Sequence, residues 1–386
     1  MFDAIYEENY HISMKKLIFK KLIFDINVFF IIAILCTATV IWVIQAVNFL
    51  DIISEDGHAF KVYFLYTIFN LPKIISKILP FIFLISLINI LIRYEVNNEL
   101  IIFWLLGISK INFINAIVKL SILYFLLQVL LTSVLVPYSL DKARSYFRTS
   151  NLDLFTSIIK EKKFIDTVSN LTIFVEEKKG NNIKKIILKD RIGKDEFQII
   201  VAQTGLIVNN TLNKSLILYR GKIINYSNNN QKIIEFSEFN FDLSKFGTKT
   251  TTYPKVQENT SKLLIKCLNK FNSGNNISFE YEKLCTVQSK DAMSEELFKR
   301  FYSPIYIILI ALIATLIIIK SKSNKRYGLN NLLIFLTGIF IIILSEVSLG
   351  YFSLKTNGSY FYVGIPIFLF ISVYLYLIQN FKISKK

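Results

Sequence analysis

Ionisable residues are costly inside a bilayer, so those that interrupt an apolar run are where chemistry is first sought. Lys73 and Lys77 stand one helical turn apart, on one face of a long apolar segment. They suit the phosphates of an anionic amphiphile entering from the side. The alternative is snorkelling to the interface, or a Lys–Glu pair between helices. Glu346, near the end of another apolar run, is the candidate for such intramembrane pairing. Catalytic signatures are missing from the sequence: it contains no G-x-x-x-x-G-K-[ST], no H-E-x-x-H and no G-x-S-x-G. The chain is therefore not expected to hydrolyse ATP or to be an enzyme, and no catalytic residue is assigned. Two His and three Cys argue against a metal site, and no cofactor is expected. Cys267 and Cys285 either pair as a disulfide in an oxidising compartment or remain two thiols. Cys36 reads as packing.

The elements that must hold these residues follow from hydropathy. Of 386 residues 53% are hydrophobic and 19% charged, against about 25% charged in soluble domains. A bilayer core about 30 Å thick needs roughly 20 apolar residues of helix. Runs of that kind are Leu22–Ile44, Leu71–Ile92, Ile111–Val136, Pro304–Ile319, Leu332–Leu349 and Tyr360–Ile378. Residues 61–70 predict a short lead-in helix at the interface. Pro72 and Pro80 either kink the second span or mark its start. The first run is too long for a signal-peptide core and lacks a small-residue cleavage site, so it is expected to stay in the protein.

The fold class is an α-helical membrane protein with six transmembrane helices, three plus three, around an inserted all-β domain. Its domains are 1–144, 145–300 and 301–386. Lys and Arg in short loops set orientation. Lys15, Lys16, Lys20 and Lys21 precede the first span, and Lys320, Lys322, Lys325 and Arg326 follow the fourth. Arg93 and Lys110 bracket the loop after the second, and Lys382, Lys385 and Lys386 form the tail. The first loop carries Asp51, Glu55 and Asp56 and no basic residue. All the basic clusters fall on one side if both termini are cytoplasmic, which places the insert outside. The net charge of +17 is then largely a topology signal, and nucleic acid is excluded as a partner.

Within the insert, apolar stretches of strand length recur between turn signals. They are Leu171–Val175, Ile183–Leu188, Phe197–Val201, Leu206–Val208, Leu216–Tyr219, Ile223–Tyr226 and Ile233–Phe241, with turns expected at Gly180-Asn-Asn, Gly193-Lys-Asp and Arg220-Gly-Lys. Such spacing suggests a sandwich, jelly roll or barrel. Residues 247–262 read as a Thr-rich loop and 291–302 as a helix leading into the fourth span.

The loop after the second span predicts an amphipathic cytoplasmic helix from about 95 to 106, capped at Gly107, with Glu95 and Glu99 on one face. A short helix between two spans suits docking onto a cytoplasmic partner; the alternative is an interfacial loop with a helical turn. Glu99, followed eight residues later by Gly107-Ile-Ser109, resembles the coupling region of the LptF/LptG permease family. The Leu71-Pro72…Leu79-Pro80 pattern is similar to that family's second helix. So is Glu296-Leu-Phe-Lys-Arg300-Phe-Tyr-Ser-Pro304 before the fourth span.

The resemblance implies a non-catalytic subunit of an ABC transporter that extracts lipopolysaccharide from the inner membrane. It implies a paralogous LptF/LptG-type partner, a cytoplasmic LptB-type ATPase dimer and a periplasmic LptC-type bridge toward the outer membrane. The insert becomes a periplasmic jelly roll, and segment 95–109, with Glu95, Glu99, Gly107 and Ser109, the ATPase-docking element. Arg300 reads as structural. The competing readings are another ABC-type lipid or lipoprotein exporter, which commonly has four spans, and a membrane-embedded lipid-modifying enzyme, which needs convergent acid, base or metal groups.

Overall fold

The computed structural model describes residues 2–50, 60–150, 159, 161–168, 171–191, 196–209, 214–227, 230–242, 255–273, 285, 289–354 and 359–383. The acidic loop residues Asp51, Glu55 and Asp56, the turn at Gly193 and the tail residues Lys385 and Lys386 lie outside them.

Among the described residues six helical stretches are long and apolar enough to cross a membrane: Ser13–Asn48, Phe60–Val96, Lys110–Tyr146, Lys290–Ile319, Tyr327–Ser348 and Gly364–Phe381. In chain order the helices are α1 (Phe2–Asn48), α2 (Phe60–Phe69), α3 (Leu71–Val96), α4 (Glu99–Leu105), α5 (Lys110–Leu130), α6 (Val136–Ser150), α7 (Ser261–Ser273), α8 (Lys290–Phe301), α9 (Tyr306–Ala314), α10 (Tyr327–Leu354) and α11 (Ser359–Ile383). A π-helical turn, Leu131–Leu135, joins α5 to α6. The chain forms two compact units, one of residues 1–43, 70–140 and 255–386, the other of 44–69 and 141–254.

In the first unit α3 and α9 are central. A helix that is apolar all round must be covered all round, and every residue of α9 except Ile308 is buried. Gly338 of α10 lets that helix approach Leu84 of α3, where a Cβ would collide with the leucine side chain. Pro72 marks the start of α3, whereas Pro80 lies inside it. Phe30, Phe83 and Tyr124 pack edge-on or tilted between α1, α3 and α5. The outer sides of α1, α5, α10 and α11 expose rows of large apolar residues such as Ile31, Leu123, Phe340 and Phe368, as helices facing lipid or another subunit do.

The second unit carries one six-stranded antiparallel sheet, β1 (Lys163–Val168), β2 (Leu171–Lys179), β3 (Asn182–Arg191), β4 (Phe197–Asn209), β5 (Lys214–Ser227) and β6 (Asn230–Asp242), paired in sequence order. The all-β insert is therefore present. Its described strands form a meander, without the crossing connections of a double Greek-key jelly roll. The turn at Gly180 forms as expected, a two-residue hairpin with φ +61° at the glycine.

The turn expected at Arg220-Gly-Lys does not form. Arg220 (φ +50°) and Lys185 (φ +49°) lie on a line with Glu176, Gln203 and Ser237 that the strand ladder skips. Along that line the alternation inverts: Ile183 and Ile186 both point inward, as do Ala202 and Gly205. The crease thus joins pairs of expected short strands into the long β4 and β5. Residues from both sides of it, including Leu171, Ile186, Ile207 and Leu218, make one apolar core. Gly221 is required there, because a Cβ would meet the Val201 carbonyl and the Phe236 ring. On the outer face Lys222 pairs with Glu235 at 2.8 Å; the ammonium holds the carboxyl below its ordinary range.

Helical structure resumes at Lys255. The insert is expected to run to residue 300, with a loop over 247–262 and a helix over 291–302; the helix forms as α8, but the described residues from 255 on also form a 3₁₀ turn (Val256–Glu258) and α7 and belong to the first unit. The physical reason is Arg300, described below, which fastens that segment to the spans.

Candidate functional site

Two constellations occupy opposite ends of α3. At 1.5 Å per residue, its length separates them by about 35 Å, a full bilayer core.

At the α3 N-terminal end the polar groups form one buried network. Pro80 has no N–H, so the carbonyl of Ser76 loses its helical donor. Gln128 of α5 replaces it, donating Nε2 to that carbonyl at 2.7 Å. One turn on, in the π-helical segment, the Thr132 hydroxyl donates to the Arg300 carbonyl at 2.9 Å. Such a turn frees backbone groups for partners outside the helix; Ser133's carbonyl accepts from the Ser261 hydroxyl at 2.8 Å.

Arg300 itself is 1% exposed. Its Nε donates to Glu296 at 3.0 Å, and its terminal nitrogens donate to the carbonyls of Asn259 and Gln257 and to the Ser261 hydroxyl. The Glu-Arg-Pro spacing four apart is thereby explained. Glu296 and Arg300 form an i,i+4 pair, and Pro304 is buried in the 3₁₀ turn that starts the fourth span. Cys267 and Cys285 are disulfide-bonded, with 5.7 Å between their Cα atoms, and pack with Leu264 and Met293.

This framework gathers lysines. The charges acting on Lys73 are those of Lys77, Lys255 and Lys299, opposed by Glu258. Glu258 also accepts the backbone N–H of Lys255 at 3.0 Å. Four lysines and one glutamate thus act on one another at this end of the helix. Lys255 and Lys299 were not singled out in the sequence, because only the Arg300 contacts bring residues 255–258 against α8. Glu346 is exposed on α10 and makes no ion pair among the described residues; Glu258, rather than Glu346, stands beside the lysines.

At the other end of α3 lies segment 95–109. The expected single helix from 95 to 106 is broken. Glu95 and Val96 finish α3, Asn98 is left-handed (φ +62°), and α4 runs from Glu99 to Leu105. Glu95 and Glu99 therefore do not share a helical face. Gly107 (φ +71°) donates its N–H to Trp104 O at 3.0 Å, and Ile108 donates to Phe103 O at 3.1 Å. This is a Schellman cap. Ser109 is the N-cap of α5, accepting the Asn112 N–H at 3.2 Å. Gly-Ile-Ser is thus a stop and a start, which fixes the angle between two helices. Leu100 and Phe103 are buried, while Ile101, Ile102 and Leu105 face outward.

No group of three or more His, Cys, Asp or Glu among the described residues could hold a metal ion. Six spans and an inserted antiparallel β domain define a multi-pass membrane protein with its folded insert between the third and fourth spans. The sequence model described as lipopolysaccharide export system permease LptF/LptG matches residues 20–380, and the chain belongs to that family. It is also 24% identical over 178 residues to uncharacterized protein RP871 of Rickettsia prowazekii (strain Madrid E), covering 46% of this chain and 49% of that protein. The chain matches about half the length of this relative.

Proposed function

We propose that the chain is a non-catalytic permease subunit that moves lipopolysaccharide out of the inner membrane toward the outer membrane. In this reading it pairs with a paralogous LptF/LptG-type subunit. An LptB-type ATPase dimer docks on residues 95–109, and an LptC-type bridge receives the lipid from the periplasmic β domain. Both termini are cytoplasmic. The observation that carries the substrate assignment, beside the family, is the cluster of Lys73, Lys77, Lys255 and Lys299 at the far end of α3. It offers several positive charges to the phosphates of an amphiphile held at the membrane face. Glu346, exposed within a span, is best covered by a basic group of the partner subunit. ATP in the separate subunit acts by favouring one of two arrangements of the spans, with α3 as the lever between the two ends.

Affinity purification of the tagged chain from its native membrane, with mass spectrometry of what is retained, tests the assembly. A second six-span permease, an ATPase and lipopolysaccharide are expected. The Lys73→Ala/Lys77→Ala double variant is expected to assemble normally and to lose crosslinking to the phosphorylated lipid. Unchanged crosslinking, or a chain purified without an ATPase, sinks the respective half of the reading.

A further inference from the structure

α1 leads into its span with a group of lysines, Lys15, Lys16, Lys20 and Lys21. The Lys21 ammonium meets the Glu99 carboxylate at 3.2 Å. Lys15, Lys16 and Lys20 make no ion pair or hydrogen bond among the described residues. No carboxylate stands three or four residues from any of these three in the sequence, so none is a neighbour on the helix surface. Lys16 and Lys20, four residues apart, instead repel each other. These three positive charges call for an anion from outside the chain.

Lys15, Lys16 and Lys20 line one groove together with Phe19 and Ile23, with a volume of about 470 Å³, within the range of small-ligand sites. Its apolar members are held from behind. Phe19 meets Phe103 of α4 edge-on, ring centres 5.5 Å apart, and Phe113 of α5 at 6.2 Å. Ile23 packs against the core of the spans. Beyond Lys20 the exposed side of α1 is apolar: Phe24, Val28, Ile31, Ile32 and Leu35, at the three- and four-residue spacing that continues the line of Lys16 and Lys20. From Phe24 to Leu35 the helix rises about 17 Å, roughly one leaflet of a bilayer core.

We propose that this groove holds an anionic glycerophospholipid, its phosphate among Lys15, Lys16 and Lys20 and its acyl chains along Phe24–Leu35. A cationic end continuous with a leaflet-long apolar strip fits an amphiphile. A soluble phosphate makes no use of the strip, and a lipid without net negative charge leaves the ammonium groups uncompensated. Through the Lys21–Glu99 contact the site stands at the C-terminal end of α3, whereas Lys73 and Lys77 lie near its start. On the topology proposed above it belongs to the cytoplasmic leaflet, where the lipid is a bound component of the subunit and not its cargo.

For the test, the tagged chain, with the subunits that co-purify, is reconstituted into phosphatidylcholine vesicles carrying a photoreactive phosphatidylglycerol, and the label is mapped along α1 by mass spectrometry. Labelling around Lys15–Phe24 is expected. The variant K15Q/K16Q/K20Q is expected to lower it at least about tenfold, since each basic group near a membrane surface strengthens binding of an anionic headgroup about fivefold. K15R/K16R/K20R keeps the charges and is expected to keep labelling within about twofold. K262Q/K266Q/K270Q removes as much charge from α7 and is expected to leave labelling of α1 unchanged. A photoreactive phosphatidylcholine is expected to label α1 at least about fivefold less. Full labelling of the glutamine variant, or equal labelling by the phosphatidylcholine probe, overturns the proposal and leaves the lysines as an orientation signal alone. Suppression of labelling by excess glycerol phosphate overturns it too, making the groove a site for soluble phosphates. Labelling that appears only after the other subunits are stripped away also overturns it, because a protein then covers the lysines. Should the triple glutamine variant fail to insert, Lys16→Gln and Lys20→Gln are read singly, each expected to lower labelling about fivefold; no loss in either overturns the proposal.

Discussion

The two ends of α3 are held by different kinds of contact. At one end Arg300 is enclosed, with Glu296, two carbonyls and a hydroxyl around its guanidinium. At the other, Glu99 meets Lys21 through a single contact whose side chains are 24% and 63% exposed. A buried charge stripped of its partners costs several kcal/mol, whereas an exposed pair contributes about 0–1 kcal/mol. The first arrangement suits a fixed support and the second a joint that can be rearranged. A subunit driven from one end, as in the function proposed above, needs both: something to move, and something against which movement is transmitted.

The largest effect that would break this comparison is at Arg300. Arg300→Gln leaves the partly buried Glu296 without its cation and the carbonyls of Asn259 and Gln257 without its guanidinium donors. A loss of about 3–5 kcal/mol is expected, read as a marked fall in thermal stability in detergent or in membrane abundance. Arg300→Lys is expected to rescue little, since a single ammonium does not match the fork of acceptors. A variant as stable as the parent would show that the N-terminal end of α3 is not the rigid one.

Gln128→Leu comes next. It keeps the volume and removes the donor that replaces the missing Pro80 N–H. About 1 kcal/mol of destabilisation is expected from the orphaned Ser76 carbonyl. The double change with Pro80→Ala should recover most of it, because an alanine N–H restores the helical bond. Absence of that recovery would separate Gln128 from the proline and remove one link of the network.

The architecture was legible because bilayer-length apolar runs and period-two strands are local patterns. The six spans, the β insert and the helix at 291–302 all follow from such runs. What escaped was set by contacts between distant residues. The crease in the sheet inverts the alternation at Lys185 and Arg220, so one long strand reads as two short ones with a turn between. Lys255 and Lys299 join Lys73 only because Arg300 folds residues 255–261 back onto α8. The Gly-Ile-Ser turn at the end of α4 is legible in the sequence, whereas the break at Asn97-Asn98 is not. Either asparagine is tolerated in a helix, and only the left-handed Asn98 separates Glu95 from Glu99. The open question of Cys267 and Cys285 needed the approach of α7, which spacing alone does not encode.

The smallest predicted effect sharpens the picture of the joint. Gly107 ends α4 at φ +71°, and a Cβ there would meet nothing within 4 Å. Substitution therefore costs backbone strain alone, about 1 kcal/mol for alanine and less for asparagine, which tolerates left-handed backbone. Because the strain falls on the cap and not on the core, global unfolding should barely move. The effect should appear in the angle of α4 and, on the docking reading proposed above, in coupling to the ATPase. Retention or ATP turnover of the complex is expected to fall in the order glycine, asparagine, alanine. If alanine matched glycine while the reversals Lys21→Glu and Glu99→Lys each weakened docking, the ion pair alone would orient α4. If alanine fell furthest and the reversals had no effect, the Schellman cap would be the dominant constraint on the joint.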